Sequence, residues 1–374
     1  MTAVLITGTG LYTPAEGVSN EELVASFNAY VTAYNQAHQA QIEAGELAPL
    51  LESSAEFIEK ASGIKHRYVM NKAGVLDVDR MYPFLSERSN DEPSIQCEMG
   101  VTAANQALEQ AGKTAADVDA IIVACSNMQR AYPAMAVEIQ HYLHASGFAY
   151  DMNVACSSAT FGIQAGYNAI IAGSAKTVLV ISPEICSGHL NFRDRDSHFI
   201  FGDACTAVLL ERASNSQKQS ESFKVLGTKL ATQFSNNIRN NFGFLNRCDA
   251  SGVGKRDKLF VQNGRKVFKE VCPMVAEHIS QHLTALTLDA QQLKRLWLHQ
   301  ANLGMNHLVA KKVLGREPLA EEAPVILDQY ANTSSAGSII AFHQHNQGLQ
   351  TGDLGVICSF GAGYSVGSIV VEKC

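Results

Sequence analysis

The chain has 374 residues, 46% hydrophobic and only 17% charged, which describes a packed globular protein and excludes a disordered or coiled one. That length is long for a single core and predicts two domain-sized units. A formal net charge of −7 offers no whole-molecule attraction for nucleic acid or an anionic membrane, so an acidic partner would have to meet a local basic patch.

The opening Met1-Thr2-Ala3-Val4-Leu5-Ile6 has no basic segment and enters a strand pattern at once, so no signal peptide is expected. No apolar run reaches membrane-spanning length, and a soluble, cytoplasmic protein is expected. After the strand at 4–6, Gly8-Thr9-Gly10 is half a dinucleotide fingerprint without its third glycine, and it is discounted. Residues 21–60 are polar, rich in Ala and Gln, and helical: an insertion covering an entrance, or a solvated flap. Ala-Ile-Ile-Val-Ala at 120–124 predicts a buried strand. Residues 161–172 carry Ile163, Ala165, Tyr167, Ile170 and Ile171 without a charge, predicting a helix packed on nearly all sides. Strands are expected at 177–182 and 206–211, followed by a Ser/Gln-rich connection at 214–222. Beyond it come a helix at 267–286, a strand at 295–298, a helix at 305–313 and a strand at 325–327. Strands at 354–359 and 368–372 close a layered α/β pattern.

The order repeats. Asn153-Val154-Ala155-Cys156-Ser157-Ser158-Ala159 matches Gln329-Tyr330-Ala331-Asn332-Thr333-Ser334-Ser335, about half the chain further on. The strands at 177–182 and 206–211 match those at 354–359 and 368–372. A duplicated unit with Cys in one half and Asn in the other predicts a site shared between the halves.

Nine cysteines, at 97, 125, 156, 186, 205, 248, 272, 358 and 374, are scattered with neither zinc spacing nor a disulfide framework, so reduced thiols and no metal are expected. Cys156 stands where a strand ends and an apolar helix opens, where backbone N–H groups favour the reactive thiolate. Ser157, Ser158 and Ala159 beside it allow close approach of a substrate. A buried, inert thiol is the competing reading. His299, in Trp297-Leu298-His299-Gln300-Ala301-Asn302, occupies the same kind of strand edge. His278 and His282 are an i, i+4 pair, but Ile279 stands where a zinc-protease motif needs Glu. His343 and His345 read as surface residues at a helix end. Asn332 is by default an N-cap; its alignment with Cys156 argues for more. Gly361-Ala362-Gly363 follows a strand and could aim backbone N–H groups at an oxyanion.

Asn-Val-Ala-Cys156-Ser-Ser, Phe201-Gly202-Asp203-Ala204, His299-Gln-Ala-Asn302, Asn332-Thr-Ser and Phe360-Gly-Ala-Gly363 together resemble the β-ketoacyl-acyl-carrier-protein synthase III family, in order and across nearly the whole chain. The resemblance implies an α/β fold of the thiolase type, two βαβαβαββ halves in a five-layer αβαβα arrangement. The halves would be residues 1–212, with a helical insertion at about 25–56, and residues 223–374, assembled as a homodimer. It implies Cys156 as the acylated nucleophile and His299 and Asn332 as its catalytic partners. The N–H groups of Cys156 and Ala362 would form an oxyanion hole. The implied reaction joins an acyl-CoA to malonyl-acyl carrier protein with loss of CO2, and needs no cofactor beyond the CoA thioester. Asn332 separates the chain from elongating synthases, which look like Cys-His-His enzymes. Cys358 is offset from the thiolase Cys-x-Gly pattern and reads as a buried strand residue.

The chain departs from the family where CoA is gripped. Phe57 and Ala61 stand in place of Trp and Arg before Ser62-Gly63-Ile64, and Gly304 replaces an Arg. Lys60, Lys266, Lys311 and Lys312, with Arg265, Lys269 and Arg316, are candidates for docking CoA or an acidic carrier; solvated helix faces are the alternative. The insertion and the segments 128–135 and 193–198 resemble a longer subgroup that takes medium-chain, octanoyl-like acyl-CoA. Tyr132 matches an aromatic that closes the partner subunit's acyl pocket. Two rivals stay open: the same chemistry on an aromatic or branched starter in specialised metabolism, and a silent thiolase-fold protein that binds acyl groups or carriers.

Overall fold

The computed structural model describes residues 2–249 and 255–374. In the first half run β1 (Val4–Tyr12), β2 (Glu16–Ser19), α1 (Asn20–Ala37), α2 (Gln39–Glu43), α3 (Ala55–Ser62), β3 (His66–Val69), α4 (Lys72–Leu76), α5 (Ile95–Ala111), β4 (Ala120–Ala124), α6 (Met135–Leu143), β5 (Phe148–Met152), α7 (Ser158–Ala172), β6 (Thr177–Ile185) and β7 (Asp203–Arg212). The second half holds β8 (Phe223–Ser235), β9 (Ile238–Arg239), β10 (Val261–Gln262), α8 (Gly264–Ala285), β11 (Leu293–Leu298), α9 (Leu303–Leu314), α10 (Leu327–Tyr330), α11 (Ala336–Gln344), β12 (Leu354–Gly361) and β13 (Gly363–Lys373).

The main strands run in the order β11-β12-β13-β8-β1-β7-β6-β4-β5. The halves obey one rule. β4 is parallel to β6, β6 antiparallel to β7, and β7 antiparallel to β1; β11, β12, β13 and β8 repeat that sequence of directions. They join through two residue pairs between β1 and β8, Leu5 with Lys224 and Ile6 with Phe223. The two arms of this ladder fold over a central layer made of α7 and α11, each of which packs against strands of both halves. Helix α5 covers the outer face of β1, β6 and β7, and α8 that of β8, β12 and β13, which completes the αβαβα thiolase arrangement. The strands read as continuous apolar runs because both faces are covered: β4 and β12 are buried at every position.

Glycines allow one of these contacts. A Cβ on Gly8 would lie 2.0 Å from the Ala107 carbonyl oxygen, and one on Gly10 1.9 Å from that of Ala103. Gly8-Thr9-Gly10 therefore serves close packing of β1 on α5. The helix starts follow their caps. Ser19 and Glu22 form a capping box on α1, and Ser54, Ser94 and Asn302 cap α3, α5 and α9.

Three expectations change. Residues 325–327 form no strand: the Ile326 N–H donates to Gln300 Oε1 at 3.1 Å and α10 starts at Leu327, so the second half lacks a counterpart of β5. The helix expected at 161–172 starts at Ser158, and its last turn is open, with Ile171 45% exposed. His343 is not a surface residue, since its Nδ1 lies 2.8 Å from Thr9 Oγ1 in a half-buried site. The insertion is packed on the body of the protein and is not a solvated flap. Leu23, Phe27, Val31 and Ile58 are buried in one cluster with Phe192, Phe199 and Phe201, whereas the short α2 buries nothing.

Candidate active site

Cys156 sits in a tight loop two residues ahead of α7, with Ala155 in the left-handed region at φ 48°. The loop is held by its own polar groups. Asn153 Oδ1 accepts from the Ala155 N–H at 2.9 Å, Ser158 Oγ accepts from the Val154 N–H at 2.8 Å and donates to the Ala155 carbonyl at 2.7 Å. Ser365 Oγ donates to Ser157 Oγ at 2.9 Å. Ser157 and Ser158 are thus buried braces and not a substrate-facing surface. The free thiol also departs from expectation. Burial pushes the Cys156 thiol up to about 11, reinforced by the negative Glu184 and opposed by the nearby Ser334 hydroxyl and the N–H groups of Ala362 and Cys156. Desolvation outweighs the helix terminus here. The same two N–H groups expected to form an oxyanion hole converge on this sulfur.

His299 follows β11 directly, its N–H donating to the Cys358 carbonyl at 2.8 Å. Burial lowers its pKa to about 4, partly offset by the nearby Ser334 backbone, so the imidazole is neutral at pH 7. Its Nδ1 has no hydrogen-bond partner among the described residues. Phe360 meets the ring edge-on, with centroids 5.3 Å apart. Asn332 is not an N-cap; Ser335 takes that place on α11. Asn332 is fixed by its backbone, which donates to the Ile200 carbonyl and accepts from Gly202, and by its Oδ1, which accepts from the Ser334 N–H at 2.9 Å. The amide's remaining donor is therefore Nδ2. Cys358 is a fully buried strand residue, as expected.

Cys156, His299 and Asn332, from three different loops, line one cavity of about 530 Å³. Its walls are largely apolar: Phe199, Ile200, Phe201, Phe260, Val267, Met305 and Phe360. Ile238 and Gln262 bring in the β9–β10 ribbon, and Phe57, Ala61 and Ser62 bring in α3. Over Phe57 stands the Arg195 guanidinium, 4.3 Å from the ring centroid, while Arg195 Nε donates to the Glu52 carbonyl. Of the basic candidates Arg265 lines the cavity; Lys60, Lys266, Lys311 and Lys312 are exposed on α3, α8 and α9 outside it. Lys311 pairs with Glu317 and Arg316 with Glu322. Tyr132, 85% exposed, does not line this cavity. His278 Nε2 contacts the Lys229 carbonyl and His282 Nδ1 the Ser368 hydroxyl, so each ring is held by the protein. Ser334, which acts on the charge states of both Cys156 and His299, was not picked out from sequence; its position inside the repeated motif was the available signal.

Residues 150–233 match the sequence profile of 3-oxoacyl-[acyl-carrier-protein] synthase III and residues 283–373 that of its C-terminal part. The chain is 64% identical over 348 residues to the β-ketodecanoyl-[acyl-carrier-protein] synthase of Pseudomonas aeruginosa, covering 93% of this chain and 99% of that one. It is 30% identical over 372 residues to the β-ketoacyl-[acyl-carrier-protein] synthase III of Granulibacter bethesdensis, covering 98% of each. Among solved structures, the 3-oxoacyl-[acyl-carrier-protein] synthase III of Aquifex aeolicus superposes with a TM-score of 0.77 at 23% identity over 99% of both chains. The priming β-ketosynthase of the R1128 polyketide pathway gives 0.77 at 22%, over 99% of this chain and 97% of that one. With whole-length sequence similarity, the thiolase fold and the Cys, His and Asn drawn together from both halves, this chain belongs to the β-ketoacyl-acyl-carrier-protein synthase III family of condensing acyltransferases.

Proposed function

We propose that the protein joins a medium-chain, octanoyl-like acyl-CoA to malonyl-acyl carrier protein, giving 3-oxoacyl-carrier, CoA and CO2 in fatty-acid biosynthesis. The observation that carries this reading is the convergence of Cys156, His299 and Asn332 on one apolar cavity, with two backbone N–H groups at the sulfur. In the first half-reaction the Cys156 sulfur attacks the acyl-CoA carbonyl. The tetrahedral oxyanion is held by the N–H groups of Cys156 and Ala362, and CoA leaves with the thiol proton. In the second, the malonyl C–C bond breaks, CO2 departs, and its electron pair passes onto the thioester as an enolate. A His299 ring N–H and Asn332 Nδ2 donate to that oxygen. The enolate carbon then attacks the acyl-Cys156 carbonyl, and the expelled thiolate takes a proton from solvent. A neutral imidazole suits this role because it keeps an N–H without competing as a cation.

The 64% identity to a β-ketodecanoyl-carrier synthase and the apolar walls support a medium-chain starter over acetyl. Arg265, with Lys60, Lys266 and Lys312, offers positive charge near the mouth for CoA or an acidic carrier. A homodimer is supported by the free outer edge of β5, which displays Phe148 and Tyr150, 43% and 39% exposed, close in sequence to the loop of Tyr132. Tyr132 would then close the partner's acyl pocket. We place the division of the halves between residues 212 and 223, and a cytoplasmic location fits this chemistry.

The test is intact-protein mass after incubation with C2, C4, C8 and C10 acyl-CoAs, beside Cys156→Ala. A gain that peaks at C8 and disappears in the variant is expected. A C2 peak would discard the medium-chain starter, and no adduct with any donor would favour a silent binder.

A further inference from the structure

Glu184, at the end of β6, is fully buried and has no cationic partner among the described residues. Its carboxylate instead accepts from two loops of opposite halves. In the first half the donors are the Ser126 N–H at 3.0 Å and the Ser126 hydroxyl at 2.5 Å. From the second half come the Ser335 N–H at 3.2 Å and the Ser335 hydroxyl. The Cys186 sulfur adds a weak contact at 3.9 Å. Ser335 ends the turn that begins at Asn332. Ser126 in turn touches the cysteine loop, since Asn153 Nδ2 donates to its carbonyl at 2.8 Å. One carboxylate thus bridges the two loops that carry Cys156 and Asn332.

Both loops need bracing. Ala155, Ala331 and Ser334 all lie in the left-handed region, at φ 48°, 54° and 52°. Non-glycine residues stay there only when their surroundings over-determine them. The cysteine loop has its own internal bonds through Asn153, Ser157 and Ser158. The Asn332 turn has one side-chain bond of its own, from the Ser334 N–H to Asn332 Oδ1; otherwise it is held by the backbone bridge to Ile200 and Gly202 and by the contacts of Ser335 with Glu184 and the Ala124 carbonyl. A buried carboxylate without a cation is costly unless its hydrogen bonds are satisfied, and here they are satisfied only if both loops stay in place.

We propose that Glu184 is a positioning residue for carbanion formation, clamping the Asn332 turn against the cysteine loop so that the Asn332 amide stays registered over the sulfur. This rests on the roles given to Asn332 and His299 above. It assigns Glu184 to the second half-reaction and not to acylation.

The test uses the full-length enzyme, with acylation by octanoyl-CoA read by intact mass and decarboxylation of malonyl-carrier read as CO2 release. Glu184→Gln keeps the volume but turns one acceptor into an N–H2 group facing donors. Decarboxylation should fall about 10²-fold in kcat, with KM and the acylation rate within about threefold of the parent. In an Asn332→Ala background the same substitution should add less than about threefold, because its effect passes through that amide. Equal losses in acylation and decarboxylation, or a full additional 10²-fold loss on Asn332→Ala, would overturn the proposal. Should Glu184→Gln not fold, Ser335→Ala removes one donor and should lower decarboxylation about tenfold while sparing acylation; an unchanged rate overturns the clamp. If Asn332→Ala alone leaves decarboxylation intact, the role of Asn332 itself fails, and that single variant separates the two failures.

Discussion

Gly361 faces the Cys156 side chain so closely that a Cβ at position 361 would lie 2.6 Å from the Cys156 Cβ and 2.9 Å from its sulfur. β12 therefore ends on a glycine because the sulfur needs that space. Gly361→Ala would force either the cysteine rotamer or the Ala362 N–H out of place. A shift of that size costs on the order of 10²-fold in a positioned reaction. The expected result is a folded protein whose acyl-enzyme forms about 10²-fold more slowly; an unchanged rate would show that the contact is not strict.

The thiol of the free enzyme should titrate late. Its pKa stands at about 11, above the ordinary value of 9.0, because burial disfavours the thiolate. Alkylation of Cys156 by iodoacetamide, followed by peptide mass mapping, should therefore keep accelerating past pH 9 and level off only near 11. A plateau near pH 7 would contradict the geometry, for it would require a cation or a dipole strong enough to reverse the desolvation.

In the proposed mechanism His299 and Asn332 donate to the same developing charge, so their removal should look alike. His299→Ala and Asn332→Ala are each expected to lower malonyl decarboxylation by about 10²–10³-fold while octanoyl transfer to Cys156 persists. Loss of acylation in either variant, with melting temperature unchanged, would move that residue into the first half-reaction.

Acid should unfold the protein through its buried imidazoles. His189, His198, His282 and His299 are all depressed to about 4 by burial, from an ordinary 6.5. Below pH 6.5 the unfolded chain takes up protons that the folded chain refuses, so stability falls as pH drops from about 6.5 to 4. Each histidine contributes on the order of 1–3 kcal/mol across that window. Asp203, raised to about 6 by burial, and Asp151 and Glu184, raised by the same cause, act in the opposite sense, but among the described residues they are three carboxyls against seven depressed histidines, since His278, His343 and His345 are lowered as well. Trp297 is the only tryptophan and is fully buried, so its fluorescence reads the transition. A melting temperature that stays flat from pH 7 to 4.5 would refute the prediction.

The site was legible where two residues of different chemistry occupied matching places in a duplicated pattern. Cys156 and Asn332 stood out because each follows a strand-like approach and precedes an apolar helix, and His299 because it ends a strand of the same kind. The helical insertion was visible as composition, but whether it covered anything depended on Phe27 and Ile58 finding Phe192 and Phe199, contacts that no local signal announces. Residues 325–327 show the reverse: an apolar triplet reads as a strand until a side chain, Gln300, claims its N–H.

Periodicity, capping residues and the internal repeat are local properties, and by themselves they determined the α/β class, most of the elements and a site shared between the halves; the family resemblance of the motifs marked Cys156, His299 and Asn332 as its candidate trio. Which polar groups brace the site was decided only by tertiary structure. Glu184 lies 151 residues from Ser335 in sequence, and Ser334 lies far from both Cys156 and His299, yet they meet in the fold. The charge states were decided there as well. A helix terminus in sequence predicts a thiolate at Cys156, whereas burial makes the thiol the resting form, because desolvation depends on everything that packs around the sulfur and not on its neighbours in the chain.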